Sequence, residues 1–433
     1  MKRKLSGLII TYYFPPYTGI EGQRTASWFS GFHKQGVTTE IITRMWPADA
    51  PAQSWEDYQS IDKKDPFIVE SENGKVHYLP HRHRKFYAFS RKIPILNTIV
   101  YWGYKFFGHF HIETDADKSF EKYAEQLISK GDFDFIIVST PPLNIIRLGY
   151  KLSKKYNVRL IADYRDTFDN QLLNKKLPLT FSRAVENFFF RRYIKKWTSQ
   201  VDLNLVVSPA MLEVLPIPVQ KSEIIYNGFE ESIFSELRKI EPDKKKFIIH
   251  VLGNLYEFQA VDTMIDGYSL FYNAVSDKST IRFDFIGLGI EHSISEKLRS
   301  VFPSDNLFIT NRIKRPEALA YMAKASVCFN SPGAHGYKGI LGGKTFDYMG
   351  AGKYILICPS DNDLVQDTIQ HYKLGSVVNT AEEIRDVLLE QYTKWKSGIL
   401  FTNQFEEVKV FSREHQSSKL LNRIGNLFQE TRN

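Results

Sequence analysis

The chain alternates short apolar runs with longer stretches in which apolar residues recur every three or four positions. Residues 8–10 and 135–138 are apolar runs, and between them Ala26, Phe29 and Phe32 share one face of a stretch that ends at Gly36. The first pattern predicts buried strands and the second predicts helices that cover them. Strands that alternate with helices are typical of a parallel, doubly wound sheet, so we predict an α/β protein.

The same pattern begins again after a charged, proline-containing stretch at residues 239–246. Further strands are predicted at residues 247–252, 283–286, 307–310, 327–330, 354–357 and 376–378. A chain of 433 residues has room for two domains of this kind. We therefore predict two Rossmann-like domains with parallel sheets facing a central cleft, the first at residues 1–238 and the second at residues 239–405.

Composition places the chain among soluble globular proteins. Hydrophobic residues make up 43% of it and charged residues 24%, which excludes the disordered and fibrous classes. The run at residues 8–10 is too short for a signal peptide or a membrane span, so we predict a cytoplasmic location. The two cysteines, Cys328 and Cys358, lie inside apolar runs, and a disulfide framework is not indicated.

Ligands of open parallel sheets bind beyond the carboxyl ends of the strands, which makes the loop at residues 14–22 a candidate. It contains two prolines and two glycines and leads directly into a predicted helix. Free backbone N–H groups at the start of a helix suit a phosphate, so Gly22 is a candidate donor-binding residue. The alternative is a turn that only connects strand to helix.

A second candidate follows the predicted strand that ends at Ile161. Arg165 and Asp166 then lie at the ligand-binding edge of the first sheet. An arginine beside a carboxylate can orient sugar hydroxyls, and we take both as candidate catalytic residues. The alternative is an arginine–carboxylate pair that holds a loop in place.

A third candidate is the glycine-rich segment at residues 339–343, which Lys338 and Lys344 flank. A helix is predicted to begin at Lys344, so that lysines and free N–H groups would face a diphosphate. Asp347 lies in the first turn, where its carboxylate could accept hydrogen bonds from ribose hydroxyls. The alternative is that Asp347 only complements the positive end of the helix.

These loops, taken in order along nearly the whole chain, resemble glycosyltransferase family four, the retaining GT-B enzymes of the glycogen-synthase-like clan. The matching features are Pro15-Pro16 with Gly22 and Arg24, Ser139-Thr140-Pro141-Pro142, Asp163-Tyr164-Arg165-Asp166, Asn227-Gly228, Gly287-Leu288-Gly289 and the segment from Lys344 to Lys353. The resemblance implies donor binding by the second domain and acceptor binding by the first. It also implies that a C-terminal helix in residues 406–433 packs back on the first domain.

The same resemblance assigns individual residues. Asp347 would stand at the second acidic position of the family signature and would hold the donor ribose. Gly339 would stand at the first acidic position, a departure shared by the branch with a Lys-x-Phe-Asp/Glu-Tyr motif. The arginine and lysine that hold the donor diphosphate in the family would fall on Asn254 and Gln259. Arg312, Lys338 and Lys344 are therefore the candidates for this role, and Ile313 is a further candidate donor-binding residue.

Cations alternate with large apolar side chains in two stretches of the first half, residues 81–107 and 188–197. Basic groups attract anionic headgroups while aromatic side chains enter the interfacial layer, so this pattern favours peripheral binding to the inner face of a membrane. The net charge of +8 agrees with an anionic partner. The alternative for the second stretch is a helix whose aromatic side chains face the core.

We therefore predict a retaining hexosyltransferase. It would move a sugar from a nucleotide-diphosphate sugar to a glycan or lipid-linked acceptor in cell-surface polysaccharide biosynthesis, without a metal or other cofactor. Two other readings stay open, a nucleotide-sugar epimerase of the same fold and a non-catalytic GT-B scaffold or binding subunit. Nucleic acid is not expected as a partner, because the basic residues follow no nucleic-acid-binding motif.

Overall fold

The computed structural model describes residues 4–17, 19–46, 65–80, 85–110, 116–166, 181–256, 259–288, 292–332 and 339–429. The chain forms two compact units. The first contains residues 1–226 and 417–433, and the second contains residues 227–416.

The first unit is built on a sheet of eight strands. These are β1 (Ser6–Thr11), β2 (Thr38–Arg44), β3 (Phe67–Ser71), β4 (Gly74–Leu79), β5 (Phe135–Thr140), β6 (Arg159–Tyr164), β7 (Leu203–Val206) and β8 (Ser222–Ile224). Their order across the sheet is β3-β4-β2-β1-β5-β6-β7-β8, and every neighbouring pair is parallel except β3 with β4. The central strands β1, β5 and β6 are buried almost throughout, as parallel strands covered on both faces require.

Helices cover both faces of this sheet. They are α1 (Ile20–Lys34), α2 (Lys85–Ser90), α3 (Pro94–Phe106), α4 (Ala116–Ile128), α5 (Asn144–Tyr156), α6 (Phe181–Thr198) and α7 (Ala210–Val214). Helix α1 buries Phe29 and Phe32, as their spacing predicted, together with Trp28, whereas Ala26 is half-buried. Separate hydrophobic clusters fill the two sides of the sheet.

The second unit contains a six-stranded sheet that is parallel throughout. Its strands are β9 (Phe247–Leu252), β10 (Ile281–Ile286), β11 (Leu307–Thr310), β12 (Val327–Asn330), β13 (Tyr354–Ile357) and β14 (Gly375–Val377), in the order β11-β10-β9-β12-β13-β14. Cys328 and Cys358 are both buried and free. The sequence prediction of an α/β protein with two parallel sheets is confirmed.

The helices of the second unit are α8 (Glu231–Leu237), α9 (Val261–Ala274), α10 (His292–Val301), α11 (Arg315–Ala323), α12 (Gly343–Gly350), α13 (Leu364–His371), α14 (Ala381–Lys396) and α15 (Phe405–Val408). The last helix, α16 (Arg413–Leu427), begins in the second unit and ends in the first. Its residues Leu420, Leu421, Ile424 and Leu427 are buried in the same hydrophobic cluster as Trp28. Within the described part of the chain, no helix is long and apolar enough to cross a membrane.

Candidate functional site

In the first unit, the loop after β1 enters α1 through Gly19, which precedes the first residue of the helix. Gly22 is buried, and a Cβ at this position would lie 3.0 Å from the carbonyl oxygen of Tyr17, so the close approach of the loop favours glycine. The N–H of Gly22 donates to the carbonyl oxygen of Gly19 at 3.1 Å. Glu21 supplies a negative charge to the first turn. Phosphate binding by Gly22 stays a prediction.

A buried ion pair fixes the same edge of the first unit. Nη2 of Arg24 lies 2.8 Å from Oδ1 of Asp163, and neither side chain is more than 1% exposed. Nη1 of Arg24 also donates to the carbonyl oxygens of Ile225 and Tyr226, at 2.7 and 3.0 Å. Asp163 accepts a further hydrogen bond of 2.7 Å from Oγ of Ser139. Arg24 therefore joins α1, β6 and the segment after β8, and sequence reasoning had noted it only as a matching position.

Arg165 is buried at the carboxyl end of β6. Its Nε donates to the carbonyl oxygen of Thr140 at 2.6 Å and its Nη2 to that of Pro141 at 3.4 Å, while its guanidinium lies 5.3 Å from the ring centre of Tyr13. Burial lowers the pKa of Arg165, whereas the nearby negative charges of Glu21, Asp163 and Asp166 act to raise it. Its Nη1 atom has no hydrogen-bond partner among the described residues.

Asp166 follows Arg165 in the chain but differs in environment. Its side chain reaches the surface, and the pKa of its carboxyl is raised by desolvation, with Arg165 acting in the opposite direction. The hydrogen bonds of Arg165 go to backbone carbonyls and not to Asp166. Arg165 is thus held by hydrogen bonds to the end of β5 and the residue after it, whereas the carboxylate of Asp166 is accessible.

In the second unit, the start of α12 is fixed at the carboxyl ends of β9 and β12. The hydroxyl of Tyr348 accepts from the N–H of Leu252 at 2.9 Å, and Nδ2 of Asn330 donates to Oγ1 of Thr345 at 3.0 Å. Gly342 precedes the helix, has an extended backbone and has no side chain that could cap the first N–H groups. The first N–H groups of α12, which have no carbonyl partner within the helix, therefore lie near the carboxyl ends of these two strands.

Lys344, the second residue of α12, folds over the loop after β9. Its Nζ donates to the carbonyl oxygen of Asn254 at 2.6 Å. A Cβ on Gly253 would lie 3.4 Å from its Cε. Burial lowers the pKa of Lys344 to about 8, because the ammonium group has lost much of its water. An anion next to this group would restore the missing stabilisation.

The two positions at which the family's cations would fall are occupied by residues with structural contacts. Asn254 offers its carbonyl oxygen to Lys344. Nε2 of Gln259 donates to the carbonyl oxygen of Ser331 at 2.7 Å, and its Oε1 accepts from the N–H of Tyr256 at 3.0 Å. The hydroxyl of Ser331 is buried and has no partner among the described residues. Lys344, which donates to Asn254, and the buried hydroxyl of Ser331 thus lie beside this loop.

Gly339 lies in the segment before α12, at the position where the resemblance would place a carboxylate. Its φ is +72°, in the left-handed region that disfavours residues with a Cβ. A glutamate at this position would strain the segment before α12. Lys338, the neighbouring candidate, lies outside the described residues.

Asp347 is buried on α12 and paired with a residue that the sequence did not indicate. Nη2 of Arg315 lies 2.7 Å from Oδ1 of Asp347, and its Nη1 lies 3.1 Å from Oδ2. Arg315 begins α11, is about one-third exposed, and follows Arg312 by three positions. Arg312 is exposed and Ile313 half-buried in the loop after β11. A guanidinium therefore already binds the carboxylate that was predicted to hold ribose.

An apolar surface on α2 and α3 is the third candidate feature. We call it the α3 surface. Its side chains are between 44% and 77% exposed: Phe86, Phe89, Ile93, Ile95, Ile99, Phe106 and Phe107. Arg91 and Lys92 are exposed between the two helices, and residues 81–84 lie outside the described part of the chain. In α6, Trp197 is buried, which agrees with the alternative of a helix whose aromatic side chains face the core, whereas Phe188 is 62% exposed.

The chain has no match among protein-family models or curated protein sequences, but solved structures resemble it over its full length. Sucrose-phosphate synthase from Thermosynechococcus elongatus is 13% identical, covers 99% of this chain and 100% of its own, and has a TM-score of 0.66. Anabaena HepE in complex with UDP is 10% identical, with coverage of 98% and 100% and a TM-score of 0.61. A glycosyltransferase from Rickettsia africae is 12% identical, with coverage of 99% and 100% and a TM-score of 0.61. These similarities show the GT-B fold.

Among the residues that the structure describes, no group of three or more His, Cys, Asp or Glu side chains could hold a metal ion.

Proposed function

We propose that this chain is a glycosyltransferase that takes a sugar from a nucleotide-diphosphate donor and passes it to a glycan or lipid-linked acceptor. The observation that carries the proposal is Lys344, a largely desolvated ammonium group at the start of α12 over the loop after β9. A cation and free N–H groups at one sheet edge suit a diphosphate. The resemblance to GT-B structures, one of which holds UDP, supports the proposal.

Each candidate residue has a role in the proposed reaction. The bond between the anomeric carbon and the diphosphate oxygen breaks, and Lys344 with the first N–H groups of α12 stabilises the charge that develops on the leaving diphosphate. The acceptor hydroxyl attacks the same face of the sugar and passes its proton to the departing phosphate oxygen, which retains the configuration. Arg165 and Asp166 orient the acceptor, and Asp347, aligned by Arg315, holds the ribose. We propose no metal or cofactor, because Lys344 and the N–H groups supply the positive charge.

The finer parts of the proposal rest on the sequence. Retention, a hexosyl donor, membership of family four and a role in cell-surface polysaccharide biosynthesis follow from the resemblance of the loops. Gly22, Arg312, Ile313 and Lys338 stay candidate donor-binding residues on the same basis.

The function is tested by adding nucleotide sugars to the full-length protein. At least one of UDP-, GDP-, ADP- and dTDP-glucose should raise the melting temperature, because a ligand that binds only the folded state stabilises it, by about 2.7 kcal/mol at a hundred times its Kd. With acceptor glycans present, NMR of the products should show a new glycosidic bond with the anomeric configuration of the donor.

The same experiment separates the alternatives. Conversion of the nucleotide sugar into its epimer without any acceptor would indicate an epimerase. Binding of glycans with no consumption of any donor would indicate a non-catalytic subunit. Either outcome would contradict the proposed transfer.

We also propose that the protein binds the inner face of an anionic membrane through the α3 surface. Ile95 and Ile99 are 77% and 64% exposed on one helix, so an interfacial layer could cover them without unfolding any element. Arg91 and Lys92 on one side, and the exposed Arg191 and Arg192 of α6, would meet anionic headgroups. This location would bring a lipid-linked acceptor to the enzyme.

In a flotation assay, the wild-type protein should rise with vesicles that contain phosphatidylglycerol, and added salt should weaken this binding. Replacing Ile95 and Ile99 by glutamate should remove most of it, since each buried isoleucine contributes about 1.5–3 kcal/mol. Ile399→Glu is the control, because Ile399 is 62% exposed, close to the 64% of Ile99, but lies in the second unit. Equal flotation of both variants, or none by the wild type at low salt, would refute the proposal.

A further inference from the structure

One cluster in the first unit combines an incompletely bonded arginine with two accessible carboxylates. Arg165 is only 7% exposed, and its Nε and Nη2 atoms donate to the carbonyl oxygens of Thr140 and Pro141. Of its donor atoms, Nη1 alone has no partner among the described residues. A buried guanidinium with an unused N–H group is costly, so this atom is suited to a ligand oxygen.

Glu21 lies at one end of a row of side chains that continues through the rings of Tyr17 and Tyr13 to Arg165. A Cβ on Gly19 would lie 2.3 Å from both Oε2 of Glu21 and the ring of Tyr17, so the carboxylate lies beside that ring. The ring centre of Tyr17 is 4.8 Å from that of Tyr13, whose ring Arg165 contacts. The structure shows no hydrogen bond to the Glu21 carboxylate from the described residues.

Among the residues that the structure describes, the charges around Arg165 sum to a negative value. Arg24 and Arg165 contribute two positive charges, while Glu21, Asp163 and Asp166 contribute three negative ones. All three carboxylates act to raise the pKa of Arg165, and Glu21 also acts to raise that of Asp166. Asp163 is neutralised by its ion pair with Arg24. The cluster then offers two carboxylates that solvent reaches, Glu21 and Asp166, and one buried arginine N–H group without a partner among the described residues.

This arrangement distinguishes classes of ligand. A phosphate or carboxylate is best held by the two parallel N–H groups of an arginine fork, and here Nε and Nη2 are already engaged. A phosphate or carboxylate bound here would also lie near Glu21 and Asp166, and the repulsion between like charges is unfavourable. Sugar hydroxyls both accept and donate hydrogen bonds, so they match one N–H donor and two carboxylate acceptors.

We propose that this cluster, formed by Arg165, Asp166 and Glu21, binds an uncharged sugar and discriminates against phosphorylated sugars. The inference rests on the proposed function, because it names the class of acceptor that the first unit receives. A lipid-linked acceptor is compatible with it when the sugar that enters the cluster carries no phosphate of its own.

The test compares matched sugars on the full-length protein by saturation-transfer NMR, which detects millimolar binding. Glucose, mannose and galactose should each bind about tenfold or more tightly than the corresponding 6-phosphate, because the phosphate meets the two carboxylates. In Glu21→Gln this preference should shrink by about threefold or more. Glu121→Gln is the control and should keep the wild-type preference, since Glu121 pairs with Lys151 elsewhere on the unit.

Equal or tighter binding of the 6-phosphates overturns the proposal. So does the absence of binding by either class, or an equal change in Glu21→Gln and Glu121→Gln. The proposed function fails by a different result, because UDP-glucose and the other nucleotide sugars would then neither stabilise the protein nor be consumed. The melting experiment measures binding of the donor, and the NMR comparison measures binding of sugars to the acceptor cluster, so the two failures are distinguishable.

Discussion

Replacing Lys344 by alanine is expected to weaken binding of the donor's nucleoside diphosphate by roughly ten- to a hundredfold, since losing a charged hydrogen bond to a ligand costs about 1.5–3 kcal/mol. The matching nucleoside lacks the diphosphate, so its affinity should change little. Calorimetric titration of the folded variant with both ligands, chosen by the melting experiment, measures the two effects. Asp347→Ala should instead weaken both ligands alike, because its proposed contact is to the ribose.

The protonation of Lys344 provides an independent check. Its pKa of about 8 means that the ammonium form is lost as the pH rises through that value. Affinity for a nucleotide sugar should therefore be full below pH 8 and should fall above it, by up to about tenfold per pH unit. Lys344→Ala should remove this dependence, whereas Lys239→Ala, at an exposed lysine of the second unit, should leave it intact. An unchanged affinity of Lys344→Ala for the donor's nucleoside diphosphate would exclude the diphosphate role.

Breaking the buried pair of Arg24 and Asp163 is expected to lower the free energy of unfolding of the first unit by about 3–5 kcal/mol, because removal of one partner leaves the other as an unpaired buried charge. Arg24→Met should therefore melt markedly earlier, by about 2–4 °C for each kcal/mol lost. Thermal unfolding followed by circular dichroism measures the shift.

An exposed ion pair on the same unit supplies the comparison. Lys151 and Glu121 lie 2.7 Å apart but are 42% and 27% exposed, and such pairs contribute only about 0–1 kcal/mol. Lys151→Met should then melt close to the wild type. If Arg24→Met behaves in the same way, the pair is not the element that fixes this edge.

The sequence was most informative where secondary structure leaves a strong hydrophobic pattern. The buried runs that became β1, β5 and β9 are continuous, and the spacing of Ala26, Phe29 and Phe32 marks the inner face of α1. The hairpin of β3 and β4 was not predicted, because the side chains of β3 are exposed throughout and no burial period distinguishes it from a loop.

The start of the second unit illustrates a different limit. The charged stretch at residues 239–246 has the composition of a linker, but the unit already begins at Asn227. Phe229 and Phe234 pack so closely on Gly350 that a Cβ there would lie 2.8–2.9 Å from their rings. A contact between residues more than a hundred positions apart leaves no local signal in composition.

The candidate site shows a similar limit: the sequence indicates which side chains lie there but not which residues they contact. The positions of Arg165, Lys344 and Asp347 at the ends of strands or the start of a helix followed from the alternation of elements. Their partners did not, because Arg315 reaches Asp347 across 32 positions and Lys344 reaches Asn254 across 90. Sequence predicts which side chains reach an edge, and three-dimensional packing decides which of them are already engaged.

Helix α16 bears on the order in which the two units are made. Residues 227–416 form the second unit without interruption, whereas the first needs Leu420, Leu421, Ile424 and Leu427 from the far end of the chain. During synthesis, a domain usually folds once its own residues have left the ribosome. The unit that begins the chain is therefore the later one to complete its hydrophobic core, and a fragment of residues 1–226 exposes the apolar surface around Trp28 that α16 would have covered.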